Sequence, residues 1–302
     1  MIFLKNFNFA SEDAEINYLY KNPESFLPKM TCFTSFYPFN ILPEKGLESL
    51  TFNAPITILH GGNGSGKTTV LNIIAEKTGI ARTALFNKTP FFKPYLKLCD
   101  YIEEQEIPAS SVMIASDDVF NYMLNIRALN QDVDINREKL FEEYNKVKFG
   151  NRSDLLHIDF ENKQSVEAFD RNMTILKKSK SQFVRRNLIN NAREHSNGES
   201  ALLYFQQKIA DNALYLLDEP ENSLSPQKQI QLAEYIEASA IGCGCQFIIA
   251  THSPFLLTMK RSVIYDLDES PVVQKEWTKL KNIQTYRDFF KKREKEFTHL
   301  SE

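Results

Sequence analysis

The chain has 302 residues, enough to bury a substantial core in one large domain or two modest ones. Its 42 % hydrophobic and 25 % charged residues are ordinary for a soluble globular protein, and a formal net charge of −3 gives no general pull toward nucleic acid or an anionic membrane. No run approaches the roughly 20 apolar residues of a membrane span, and four cysteines in a chain this size do not make a disulfide framework.

The start, "MIFLKNFNFASEDAE", carries one lysine followed by acids, a poor secretion signal, so a cytoplasmic location is expected. "APITILHGG" (Ala54 to Gly62) is a short apolar run ending in glycines and predicts a buried strand feeding a turn. "KTTVLNIIAEKTG" follows with helical spacing, and Gly79 is placed to cap its end. Between them Gly61-Gly62-Asn63-Gly64-Ser65-Gly66-Lys67-Thr68 fits the phosphate-loop pattern G-x-x-x-x-G-K-[ST], with Thr69 next. Glycines let successive N–H groups turn inward around phosphate oxygens, and the following helix adds its positive end. Lys67 is expected to reach the β- and γ-phosphates of ATP, and Thr68 to ligate Mg²⁺.

From about residue 88 to 193 the chain is polar and predicted mostly helical, a subdomain inserted into a single domain covering residues 1–302. Asp100 to Glu143 is acid-rich, whereas Arg171, Lys177, Lys178, Lys180, Arg185, Arg186 and Arg193 stand in a stretch without acids. That stretch suits phosphate contacts with nucleic acid, although only Phe183 interrupts it as an aromatic. A basic helix packed on the acidic part of the same insertion explains the pattern as well.

"HSNGES" (His195 to Ser200) opens a further helix-like run. Ser196 with Glu199 fits a capping box. "NALYLLDEP" (Asn212 to Pro220) and "CQFIIATHSP" (Cys245 to Pro254) are apolar runs of the kind buried inside a parallel sheet, with an amphipathic helix opened by Pro226 between them. At the end of the first run Asp218 can hold Mg²⁺ and Glu219 can orient and deprotonate water. His252, at the tip of the second, stands where it would contact the γ-phosphate. Cys243 and Cys245 form a C-G-C turn with no further ligands nearby, which reads as structural.

The order of phosphate loop, Ser196-Asn197-Gly198-Glu199, apolar run into Asp218-Glu219, and Thr251-His252-Ser253 resembles the ABC-type ATPase superfamily. The resemblance implies a P-loop NTPase fold of ABC type: α/β, with a mostly parallel central sheet. It also implies that Ser196, Gly198 and Glu199 complete the ATP site of a second copy in a head-to-tail, ATP-dependent homodimer. Transporter signatures usually read Leu-Ser-Gly-Gly-Gln; the closing Glu199 is similar to the soluble SMC- and RecF-like branch. Ser225 stands where transporters usually carry Asp. "ALYLLDEPENSLSPQKQ", "CQFIIATHSPFLL" and "VIYDLD" closely resemble a group of small stand-alone bacterial ATPases of AAA or ABC-like type.

The same resemblance calls for an adenine-stacking aromatic upstream, with Phe36, Tyr37 and Phe39 as candidates. It also calls for a further Mg²⁺ contact, for which Gln105, Asp117 and Asp118 are the choices. The function implied is a Mg²⁺-dependent ATPase switch acting on a partner protein or nucleic acid, in genome maintenance or phage defence. An energy-coupling subunit of a membrane transporter is the alternative, which the polar insertion and Glu199 disfavour. A small-molecule kinase would leave the Ser196–Glu199 motif unexplained.

Overall fold

The computed structural model describes residues 1–21, 35–149, 163–187 and 197–298. They form two compact units, Met1–Phe120 with Asn197–Glu302, and Asn121–Ser196. In chain order the first unit holds β1 (Leu4–Asn8), α1 (Glu12–Ile16), β2 (Ser49–Thr51), β3 (Ile56–His60), α2 (Lys67–Thr78), β4 (Ala81–Arg82), α3 (Phe92–Leu98), β5 (Asp100–Glu103) and β6 (Val112–Ala115). The long α4 (Ser116–Phe149) runs on into the second unit, which also contains α5 (Lys163–Lys177) and α6 (Lys180–Asn187). The first unit resumes with α7 (Asn197–Lys208), β7 (Leu214–Asp218), α8 (Pro226–Gly242), β8 (Gln246–Thr251), β9 (Ser262–Asp266), β10 (Val273–Gln274), α9 (Lys281–Lys292) and α10 (Glu294–Thr298).

Seven strands form the main sheet in the order β10-β9-β3-β8-β7-β6-β4. All neighbours are parallel except the β10–β9 edge pair. The expected α/β, mostly parallel sheet is therefore what the chain forms. Every residue of β3, β7 and β8 is buried, which is why these strands read as continuous apolar runs instead of alternating ones. The register pairs His60 with Thr251, and Asp218 with both Ala250 and Ala115. Strands β3, β8, β7 and β6 thus end close to one level.

A second, antiparallel sheet has the order β2-β1-β5. It is joined to the main sheet by Gln246, fully buried at the start of β8. Its Oε1 accepts from Phe3 N–H (2.7 Å) and Leu4 N–H (3.0 Å), and its Nε2 donates to Leu4 O (2.8 Å).

The polar segment from residue 88 onward is not helical throughout. Residues 100–115 supply β5 and β6, and β6 lies beside β7 in the main sheet. Four residues of β6 are too few to show a period against their polar surroundings. Within the second unit, Tyr144 and Val147 of α4 pack with Ile175 of α5 and with Phe183 and Val184 of α6. Arg171 grips Glu143 with two nitrogens, Nη2 to Oε2 at 2.7 Å, and Lys180 Nζ lies 4.5 Å from the centre of the Phe141 ring. Part of the basic stretch is thus spent on the acid-rich helix, and Phe183 is core, unavailable for base stacking.

Candidate functional site

β3 ends at His60, and the chain turns through Gly61–Gly66 into α2. A Cβ at Gly61 would lie 2.5 Å from Ser65 Oγ, closer than real contacts allow. Gly66, the residue before the helix, has φ 97°, a left-handed conformation that side chains resist. The helix that begins at Lys67 points its unpaired N–H groups back at the loop, the usual cradle for an anion. Gly79 closes α2 at φ 73°, its N–H donating to Ala75 O.

Lys67 is 4 % exposed, and its Nζ donates to Gly61 O (2.7 Å) and Gly62 O (3.0 Å). Burial pulls its pKa below the ordinary lysine value, opposed by the nearby Glu219 and Asp218 carboxylates. Thr68 Oγ1 donates to Asp218 Oδ1 at 3.0 Å. Burial pushes the Asp218 carboxyl up to about 6, with the Thr68 hydroxyl acting the other way. Two oxygens 3.0 Å apart match neighbouring ligands of an octahedral ion with bonds of about 2.1 Å. This donor set therefore fits Mg²⁺.

Glu219 has φ 48°, rare for a residue with a side chain and concentrated at functional sites. Its N–H donates to Ala250 O at 2.9 Å, and its Oε2 accepts from Asn222 Nδ2 at 3.0 Å. Its Oε1 lies 3.0 Å from His252 Nε2, which is also 3.0 Å from Lys67 Nζ. One ring nitrogen cannot serve both neighbours. Bearing a proton it donates to Glu219; bare, it accepts from Lys67. Lys67, Thr68, Asp218, Glu219 and His252, drawn from three strand ends, thus meet at one edge of the sheet.

Other residues are placed differently from expectation or lie elsewhere. Ser196 falls outside the described residues. Gly198 and the exposed Glu199 occupy the first turn of α7; the role expected of them is at the site of a second copy, so their absence from this chain's own pocket is no departure from it. Phe39 belongs to the core, and Phe36 and Tyr37, half-buried, pack against it. Phe36 meets Phe91 edge-on at 5.1 Å, Tyr37 packs on Phe92 at 5.8 Å, and Phe39 lies between Tyr18 and Tyr95. Asp118, buried where β6 gives way to α4, accepts from Ala115 N–H at 2.9 Å; Asp117 is exposed. Gln105 follows β5 in the small sheet, its N–H directed at Phe3 O, so it is not at this edge.

The structure adds residues that the motifs did not mark. A pocket of about 580 Å³ extends from Asn63–Thr69 and Glu219 to Ile41, Glu44 and Lys45. Asp268 Oδ1 accepts from Gly62 N–H at 2.7 Å. Glu221 is buried against the His252 loop. A second group with metal-ligating side chains, His60, Asp266 and Asp268, has its ligand atoms within 4.8 Å of one another. There Lys275 Nζ already holds Asp266 Oδ2 at 2.8 Å. Glycine-rich loops and strand-end acids advertise themselves by type and spacing; these partners are far apart in the chain and carry no local signal.

Among solved structures, one similar to this chain is a nucleotide-free ATP-binding cassette from an ABC transporter. It is 16 % identical, covers 94 % of this chain and 96 % of its own, and has a TM-score of 0.41. Another is an Smc head domain from Pyrococcus furiosus with an extended coiled coil, bound to the C-terminal domain of ScpA. It is 14 % identical over 80 % of this chain and 94 % of its own, with a TM-score of 0.38. No curated protein matches the sequence. The family model described as "AAA domain, putative AbiEii toxin, Type IV TA system" matches residues 101–258, which hold the acidic pair and His252. That stretch is more than half of the chain, and the protein belongs to this family of AAA-domain ATPases, enzymes that bind and hydrolyse ATP.

Proposed function

We propose that the chain is a Mg²⁺-dependent cytoplasmic ATPase whose hydrolysis controls a head-to-tail homodimer. The convergence of Lys67, Thr68, Asp218, Glu219 and His252 at one sheet edge is the observation that carries this reading. The triphosphate lies along Gly61–Thr69, with Lys67 moving from the loop carbonyls to the β- and γ-phosphates. Ile41, Glu44 and Lys45, which line the pocket beside the loop, would receive the nucleoside end. Thr68 and Asp218 hold Mg²⁺, which when bound neutralises phosphate charge.

Glu219 orients the attacking water and takes its proton. His252, able to exchange a proton-bearing contact with Glu219 for a bare-nitrogen contact with Lys67, follows the charge at the γ-phosphate. Ser196, Gly198 and Glu199 of the partner subunit close the site, their helix start facing the phosphate. The output passes to a partner protein or to nucleic acid; the pairing of Arg171 with Glu143 and the burial of Phe183 favour a protein.

Light scattering of Glu219→Gln with Mg²⁺, with and without ATP, tests this reading. The variant should bind ATP and become a dimer only in its presence. A variant that binds ATP and stays monomeric would rule out the homodimer.

A further inference from the structure

We propose that Glu221 is the positioning residue of the site, fixing the direction in which His252 leaves the sheet. The inference rests on the ATPase reading above and deepens it. Glu221 follows the end of β7, is 8 % exposed, and places one oxygen against three donors from the end of β8. Its Oε1 accepts from Thr251 Oγ1 (2.7 Å), His252 N–H (2.6 Å) and Ser253 N–H (3.0 Å). The ladder of β8 ends at Thr251, so the next two N–H groups need other acceptors; that of Ser253 is shared between Glu221 and Thr251 Oγ1 (3.0 Å), while that of His252 goes to Glu221. Directing both at one carboxylate oxygen constrains the backbone at His252, and with it the vector of the imidazole. Contacts of N–H and O–H groups with a carboxylate tend to be short and strong, and those from Thr251 Oγ1 and His252 N–H are short.

Glu221 is poorly placed for its own sake. Its Oε2 is buried and has no hydrogen-bond partner among the described residues. A half-satisfied buried carboxylate is costly, which argues that geometry, not stability, is what it supplies. A second tie runs parallel to the first. Ser253 Oγ donates to Gln229 Oε1 at 2.7 Å, and Gln229 Nε2 donates to Leu224 O at 2.9 Å. The segment after Glu219 and the segment after Thr251 are therefore bound to each other twice. The tip of the imidazole, 3.0 Å from both Lys67 and Glu219, is held there by a carboxylate that touches neither Thr68 nor the phosphate loop.

The test compares Glu221→Ala, Glu221→Asp and Glu221→Gln in the full chain. It measures ATPase kinetics, binding of a fluorescent ATP analogue, and hydrogen exchange at the His252 and Ser253 amides. Because a misplaced contact costs on the order of 10²-fold in rate, Ala and Asp should lower kcat by at least about tenfold, with KM and analogue affinity within about threefold. Asp fails because it is one methylene short. Gln keeps an acceptor oxygen in place and should recover to within about threefold of the parent kcat.

In the Ala variant the His252 amide should exchange at least about tenfold faster, and the Ser253 amide, which keeps Thr251 Oγ1, by less. Parent-like kcat or unchanged exchange in Glu221→Ala overturns the proposal. So does a joint loss of analogue binding and kcat in both Ala and Gln, which marks a structural role only. If the parent chain itself turns over no ATP, the ATPase mechanism above fails, while the exchange data still decide whether Glu221 holds His252.

Discussion

Glu15 gives the sharpest test of the energetics. Its side chain is 1 % exposed; Oε2 accepts from Asn40 N–H at 2.6 Å, and Oε1 has no partner among the described residues. Burial raises its pKa from 4.5 to about 7, with the Asn40 contact pulling the other way. An acid with a raised folded-state pKa holds its proton more tightly when folded. The stability it lends is complete below pH 4.5 and is lost as pH rises toward 7. A displacement from 4.5 to about 7 corresponds to about 3 kcal/mol across that window.

Glu15→Gln removes the titration and keeps an acceptor for Asn40. Urea unfolding followed by fluorescence of Trp277, the single tryptophan, should give matching stabilities near pH 4.5. At pH 8 the variant should be the more stable by up to about 3 kcal/mol. Parallel pH profiles for parent and variant would refute the reasoning, because the ionisation of a buried Glu15 would then carry no cost. Asn40 adjoins Ile41 of the pocket wall, so ATP affinity in the variant reports whether that wall keeps its place.

Two other substitutions separate steric from chemical roles. Gly61→Ala sets a methyl 2.5 Å from Ser65 Oγ and should destabilise the protein by about 1–3 kcal/mol while weakening ATP binding, read by thermal melts and analogue titration. Tyr37→Leu should leave nucleotide affinity within about twofold, since its ring packs on Phe92, whereas Ile41→Asp should weaken it by at least about tenfold. Equal effects of the last two would return Tyr37 to the pocket.

The parts that could be read from the chain are those whose signal is local. β3 with α2, and β7 with α8 and β8, declared themselves through buried apolar runs and a helical period, and those same runs carry Lys67, Asp218, Glu219 and His252. The small antiparallel sheet was silent because β2 and β5 have three and four residues, and a period of two needs more. β6 was hidden for the same reason. Nothing local in "ENSLSP" marks Glu221; it is buried because sheet order lays β7 beside β8, which brings residues 30 positions apart into contact. Aromatics near the phosphate loop were plausible stacking partners by type, yet Phe91, Phe92 and Tyr95 of the α3 region draw them against the core.

Gln246 acts as an indexing pin. Its amide meets three backbone groups of Phe3 and Leu4, a match that exists at one setting of β8 alone. Sliding β8 by a single residue would turn Gln246 to the opposite face and carry Thr251 past His60, since side chains alternate along a strand. Uniformly apolar strands such as Phe247–Ala250 offer little resistance to that slip by themselves, because either face finds greasy neighbours. The polar side chain at the far end of β8 therefore sets the height at which His252, six residues along the chain, stands opposite Lys67.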